Sequence, residues 1–287
     1  MSNEDQAILP PELEEMIFSL CFQSDWKTCT TLPLVAKRVN QWLIPQIYRI
    51  AIFHSGERCS NPPTPGPRFP SQNLERHGEY VRHIMFHNSA GNDLTGLYNL
   101  PGTCLSWCPN VVNVALWTTN DQYDETLIHQ LLRLHITHLS LDIGTFLSHL
   151  GTTIGGASVS FTWVTHLEII SKPLTPQPEE IKNLFPALTH LALNGSGRNK
   201  IEIVRDFLHC WEDKLEVLVW YRGVSSAPVP EVIPTTKYIS LDDPRVVILW
   251  YGQLYLETWT AGAEGGLGIW RTADETVKKR RRGIVSS

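Results

Sequence analysis

No apolar run in this 287-residue chain approaches the ~20 residues that a membrane-spanning helix requires. Charge of one sign is equally scarce. With 24 basic and 29 acidic side chains, the net charge of −5 and pI near 6.1 speak against a general nucleic-acid or membrane-surface binder. Six cysteines, at 21, 29, 59, 104, 108 and 210, follow no disulfide-framework spacing. Cys104 and Cys108 lack the second pair that a zinc site needs, so no metal or other cofactor is expected. The N-terminal Met1-Ser2-Asn3-Glu4-Asp5 is acidic and polar, unlike a secretory or organellar presequence. These absences lead us to expect a soluble intracellular protein, cytoplasmic, nuclear or both, with reduced cysteines and Cys21 buried in its helix.

The common catalytic templates are missing too. The chain has no G-x-x-x-x-G-K-[ST] loop, no G-x-S-x-G elbow and no H-E-x-x-H pair. Gly151-Thr-Thr-Ile-Gly155-Gly156 lacks the strand-before, helix-after setting of a phosphate cradle and reads as a flexible connection. No residue is assigned a catalytic role, and a non-enzymatic protein is expected.

What the chain does contain is a repeat. Val81-Arg-His83-Ile84, Val111-Val-Asn113-Val114, Ile136-Thr-His138-Leu139, Val164-Thr-His166-Leu167, Leu188-Thr-His190-Leu191 and Leu215-Glu-Val217-Leu218 share one pattern. Arg245-Val246-Val247-Ile248 is a candidate last member, and the fourth positions recur every 24–30 residues. Between them, segments such as Asp124–Leu132, Pro178–Phe185 and Ile201–Leu208 carry helical apolar spacing. The fold class expected is therefore α/β: an irregular leucine-rich-repeat-like solenoid with parallel strands and helices on its outer face.

Side chains alternate across a strand, so His138, His166 and His190 should form a column on the sheet face opposite the repeat leucines. That face is read as the open side of the sheet, and the column is a candidate target-binding surface. Trp220, Tyr221, Trp250 and Tyr251, ending the two late strands, are candidates for the same role because Trp and Tyr are favoured binding anchors. Trp107, Trp117, Trp163 and Trp211 read instead as core or inter-repeat packing. The run Lys278-Lys279-Arg280-Arg281-Arg282 reads as the solvated cationic end of a helix, with nuclear import as the other reading.

The first fifty residues are of another kind. Leu13, Ile17 and Leu20 form an apolar stripe behind Leu9-Pro10-Pro11-Glu12, with the prolines at a helix start and acids at its positive dipole end. Leu34-Val35-Ala36-Lys37-Arg38-Val39 and Trp42 follow, and Ile44-Pro45-Gln46-Ile47-Tyr48-Arg49 closes the segment. On Leu9, Pro10, Glu12, Leu13, Ile17, Val35, Lys37, Arg38 and Trp42 this segment resembles an F-box, with Ala36 where Ser or Cys is usual. The Ile-Pro-x-Ile-Tyr-Arg ending is similar to that of fungal F-box-like proteins. So is the closing segment, with Trp259, a glycine-rich turn and Trp270 before a basic helix.

The resemblance implies a non-catalytic substrate receptor of a cullin-type (SCF) ubiquitin ligase. Leu9, Pro10, Leu13, Ile17 and Val35 would dock a Skp-type adaptor, and the solenoid would hold an unidentified protein target. The competing reading is a scaffold protein whose F-box-like helices merely cap the solenoid. The expected division is an F-box-like subdomain over 1–50, a proline-rich linker over 51–78, the solenoid over 79–253, and a C-terminal cap with basic tail over 254–287.

Overall fold

The computed structural model describes residues 9–24, 31–55, 71–88, 100–117, 123–154, 159–170, 177–194, 200–223, 243–251 and 255–283. Two helices, α1 (Pro11–Ser24) and α2 (Lys37–Ile47), precede the first strand, β1 (Ile50–Ser55). Helix and strand then alternate through α3 (Ser71–His77), β2 (His83–Asn88), α4 (Leu100–Trp107), β3 (Asn113–Trp117), α5 (Glu125–Arg133) and β4 (His138–Leu141). The series continues with α6 (Ile143–Ile154), β5 (His166–Ile169), α7 (Pro178–Leu184), β6 (His190–Asn194), α8 (Lys200–Cys210), β7 (Val217–Gly223) and β8 (Val246–Tyr251). Two further helices, α9 (Tyr255–Ala263) and α10 (Ile269–Arg281), end the described chain.

All eight strands form one parallel sheet in the order of the chain, as a strand–helix repeat requires. Local chemistry starts and stops the connecting helices where the sequence marks them. Asp124 caps α5, its Oδ1 accepting the Leu127 N–H at 2.6 Å, and Glu180 accepts the Gln177 N–H at 3.3 Å to open α7.

Register follows the repeat from β2 to β7, where Ile84, Val114, Leu139, Leu167, Leu191 and Leu218 lie side by side. Two parts of the expectation need correction. The sheet starts one strand earlier: Ile50–Ser55 pairs with β2 and Ser71–His77 is helical, where a proline-rich linker is expected over 51–78. The proline-rich centre of that segment lies outside the described residues. At the other end Leu218 pairs with Val246 rather than Ile248, so the last member is shifted by two residues. An uninterrupted apolar run, Val246–Trp250, has no polar residue to mark its phase. Helix α6 also runs through Gly151 to Ile154, part of the segment expected to be a connection.

The repeat leucines, with Phe86, Leu116, Leu141, Ile169 and Leu193, bury against α4–α8 in one continuous core. The opposite face is not open. Met85, Ala115, Ala192, Val217, Val219, Tyr221 and Val247 are buried there with Trp259 and Ala263 of α9 and Ile269, Ala273 and Val277 of α10. The closing segment was expected to cap the end of the solenoid; it lies across the sheet instead, giving three layers. A tight reversal between α9 and α10 permits this. Gly265 has φ of +86°, and a Cβ on Gly268 would stand 2.6 Å from the Gly262 Cα.

Two glycine substitutions should move stability in opposite directions. A Cβ at Gly78 would lie 2.2 Å from the Trp107 carbonyl oxygen, a backbone atom that cannot swing away. Gly78→Ala should therefore destabilise by about 1–3 kcal/mol. Gly151 in α6 has nothing within 4 Å of the added methyl. Gly151→Ala should stabilise by about 0.5–1 kcal/mol through helix propensity. Urea-unfolding midpoints of the two variants, shifted the same way, would contradict this packing.

Candidate functional site

Parallel in-register pairing sets His138 beside His166 and His166 beside His190. Their rings stack at centroid distances of 4.0 and 4.1 Å, each pair inclined by 16°. Each ring is fixed by the residue before it. The Thr137, Thr165 and Thr189 hydroxyls lie 2.9, 2.9 and 2.7 Å from the Nδ1 atoms of His138, His166 and His190. The same hydroxyls reach the backbone carbonyls of Val112, Thr137 and Thr165 on the preceding strand, at 3.2, 3.3 and 3.3 Å. The recurring Thr-His pair was visible in the sequence, but its threonine was not recognised as the residue that orients the ring. His83 follows Arg82 instead, and its Nδ1 is buried without a hydrogen-bond partner among the described residues.

The column was expected to face outward as a target-binding surface. Its side of the sheet is as predicted, but α10 reaches over His166 and His190. The Trp270 ring meets His166 edge-on at 5.1 Å (76°) and His190 at 6.0 Å (89°). One turn later Asp274 Oδ1 lies 3.0 Å from His190 Nε2. An ionised carboxylate only accepts, so the hydrogen of that contact is on Nε2. One row further along the strands Ser140 and Glu168 are also buried, and Trp117 donates its indole N–H to Ser140 at 2.8 Å. His166 and His190 are thus the seat of the protein's own helix α10, with His138 stacked beside them.

Burial is the main cause holding His138, His166 and His83 neutral. It pushes His138 down to about 4, with a further contribution from the imidazole of His190. His166, flanked by His138 and His190, is lowered further, to about 2. His83 is lowered to about 4, first by burial and then by Arg49, His138 and Arg82. Imidazoles this weakly basic hold no proton at neutral pH and make poor general bases. No group of three or more His, Cys, Asp or Glu side chains that could hold a metal ion occurs among the described residues.

The aromatic candidates need a second correction. Trp220 and Tyr221 are buried on opposite faces of β7, Trp220 in the outer-helix core and Tyr221 beneath α9 and α10. Neither is an exposed anchor. The side chains of Trp250 and Tyr251, in β8, lie outside the described residues. Of the tryptophans assigned to packing, Trp211 is fully buried, whereas Trp163 is 57% exposed and touches His135 at 4.8 Å.

Exposed apolar surface gathers elsewhere. Apart from Trp163 and Leu267, every exposed large apolar residue among those described falls between residues 9 and 35. These are Leu9, Leu13, Met16, Ile17, Leu20, Leu34 and Val35. Cys21, expected to be buried, is exposed beside them. Helix α1 turns its other face inward: Glu14 accepts from Arg38 at 2.8 Å, and Ser19 accepts from Gln46 at 2.8 Å. Val39 and Leu43 of α2 are buried in turn. The helical pair is thus attached through α2, while the apolar stripe of α1 faces solvent.

Compared with family models, curated proteins and solved structures, the chain matches none. No helix among the described residues is long and apolar enough to cross a membrane.

The lowered histidines make stability fall in acid. A ring whose folded value lies below the usual 6.5 binds its proton more readily when unfolded. Its contribution is present above pH 6.5 and is lost as pH falls from there towards 4. Each ring adds a slope of up to about 1.4 kcal/mol per pH unit in that window. Urea unfolding at pH 7 and pH 5 tests this; equal or greater stability at pH 5 would refute it.

Proposed function

We propose that this protein is a non-catalytic substrate receptor of a cullin-type ubiquitin ligase. Its N-terminal helices would dock a Skp-type adaptor, and its repeat body would present a target protein. The observation that carries the reading is the inversion of α1. An amphipathic helix on a globular body normally buries its apolar stripe. Here Leu13 and Ile17 are 45% and 46% exposed, Val35 is 65% exposed, and Leu9 and Pro10 are exposed alongside them. A contiguous apolar surface of this kind marks an interaction site more often than an accident of folding. It coincides with the residues that carry the F-box resemblance.

This geometry also weighs against the scaffold alternative, in which the stripe would pack on the first repeats. It is α2 that meets the repeat body, against Gly78–Tyr80, while the stripe of α1 stays exposed. The receptor would act by proximity, holding a target near a transferase. With the sheet face occupied by α9 and α10, the target surface lies elsewhere on the repeat body. The cytoplasm or nucleus, where such ligases work, is the proposed location.

Leu13→Ala combined with Ile17→Ala should abolish co-purification of the Skp-type adaptor. Because both side chains are exposed, unfolding free energy should change by no more than about 0.5 kcal/mol each. Val39→Ala with Leu43→Ala should instead destabilise by several kcal/mol, as buried truncations do. Undiminished adaptor recovery with the α1 variant would reject this docking surface.

A further inference from the structure

The seat of α10 is built from groups that titrate. We propose that α10 is an acid-released strap: protonation of the His138–His166 stack, on whose His166 ring Trp270 rests, detaches the helix while the sheet and outer helices stay folded. Release would uncover an apolar strip that includes Val217, Val219 and Val247. The proposal is independent of adaptor docking, since it concerns the opposite end of the chain and a different face of the fold.

Geometry carries the argument. The His138 and His166 rings lie face to face at 4.0 Å, with the Trp270 ring of α10 edge-on to His166 at 5.1 Å, so a proton on each would bring two like charges into contact beside an apolar neighbour. No strand shift can separate them, because the in-register pairing of β4 and β5 fixes their spacing. Removing α10 opens the stack further to water and takes Trp270 off His166, so the released state is the one that accommodates protons. The charged groups around the stack are few. On the sheet these are His190, the buried Glu168 one row on, and His83 beyond Asn113, with Arg49 and Arg82 acting on His83. From α10 comes Asp274, which faces His190. The Asp274 carboxylate lies on His190 alone, so the release depends on His138 and His166, which no α10 carboxylate is placed to neutralise.

The strap is also the less deeply anchored layer. Helix α10 packs on β7 and β8 through Ile269, Ala273 and Val277, with the Arg280 guanidinium donating to the Val246 carbonyl at its far end. The outer helices share one apolar core with every strand from β1 to β8. Local opening of the smaller layer before the whole is the expected order.

The size of the effect follows from linkage. With released rings titrating near 6.5 and seated rings near 4 or below, each of the two stacked imidazoles favours release by roughly 10-fold at pH 5.5. Together they raise the opening constant by up to roughly 100-fold relative to neutral pH.

Amide hydrogen exchange on the full chain tests this, at pH 7.5, 6.5 and 5.5 with correction for intrinsic rates. Protection of residues 269–281 should fall by between ten- and a hundred-fold across this range, while amides of β4, β5 and β6 keep theirs. His138→Asn with His166→Asn should flatten the dependence. Asparagine suits the position because Asn113 already occupies it in β3. Protection of 269–281 that does not change with pH would overturn the proposal. So would loss of sheet protection in parallel, or an equal fall in the double variant. If the double variant does not fold, the wild-type contrast between helix and sheet still decides, with His138→Asn as the milder substitution.

Discussion

In-register parallel pairing places the same repeat position of each strand beside its counterpart at about 4.8 Å, and most of this structure follows from that constraint. A residue type that recurs in the repeat must tolerate contact with itself. Leucine, valine and isoleucine do so without difficulty, and their rows make the core beneath the outer helices. Histidine does so only as the neutral ring. The Thr-His pair answers the constraint: the hydroxyl orients each imidazole, and stacking with its neighbours takes the place of water. A row of neutral aromatic rings is in turn a surface on which a tryptophan packs well, and Trp270 occupies it edge-on.

The same constraint explains why the sheet needs a cover on both sides. Position by position, the inner row reads Met85, Ala115, Ser140, Glu168, Ala192, Val219 and Val247, largely apolar at both ends and polar only at the centre. Sheets that are parallel throughout are stable when both faces are buried. Helices α9 and α10 supply the second cover, joined by a reversal that only glycine can make at its narrowest point. Ser140 and Glu168 are buried along with the apolar ends, and Trp117 satisfies the serine.

How much of this could be read in the sequence depended on whether the signal was local. The phase of β2 to β7 was legible because each strand carries a polar marker, His or Asn, or in β7 the Glu216 before Val217, beside its apolar positions. Strand β8 has no such marker, and its register slipped by two residues. Strand β1 was missed because Ile50-Ala51-Ile52-Phe53 is too short to show a period and runs into prolines. The histidine column was legible as a column. That its face is covered was not, because the amphipathic pattern of α10 gives the helix an apolar side without saying what it meets. Trp220 and Tyr221 failed for a related reason: a strand buried on both faces leaves none of its aromatic residues exposed, and alternation alone does not reveal that.

The apolar stripe of α1 shows the opposite limit. Leu13, Ile17 and Leu20 recur at helical spacing and predict a buried helix face, yet they are exposed. What settles the orientation is a pair of polar contacts that the hydrophobic period does not register. Glu14 reaches Arg38 and Ser19 reaches Gln46, both from the less apolar side of α1, and α2 fixes both partners by burying Val39 and Leu43. Turning α1 over would bury the stripe but would place Glu12 and Glu15, now exposed, nearer the body and leave Arg38 without its carboxylate. The sequence therefore holds its most apolar N-terminal face outward with its polar residues, an arrangement suited to a surface that is completed by another protein.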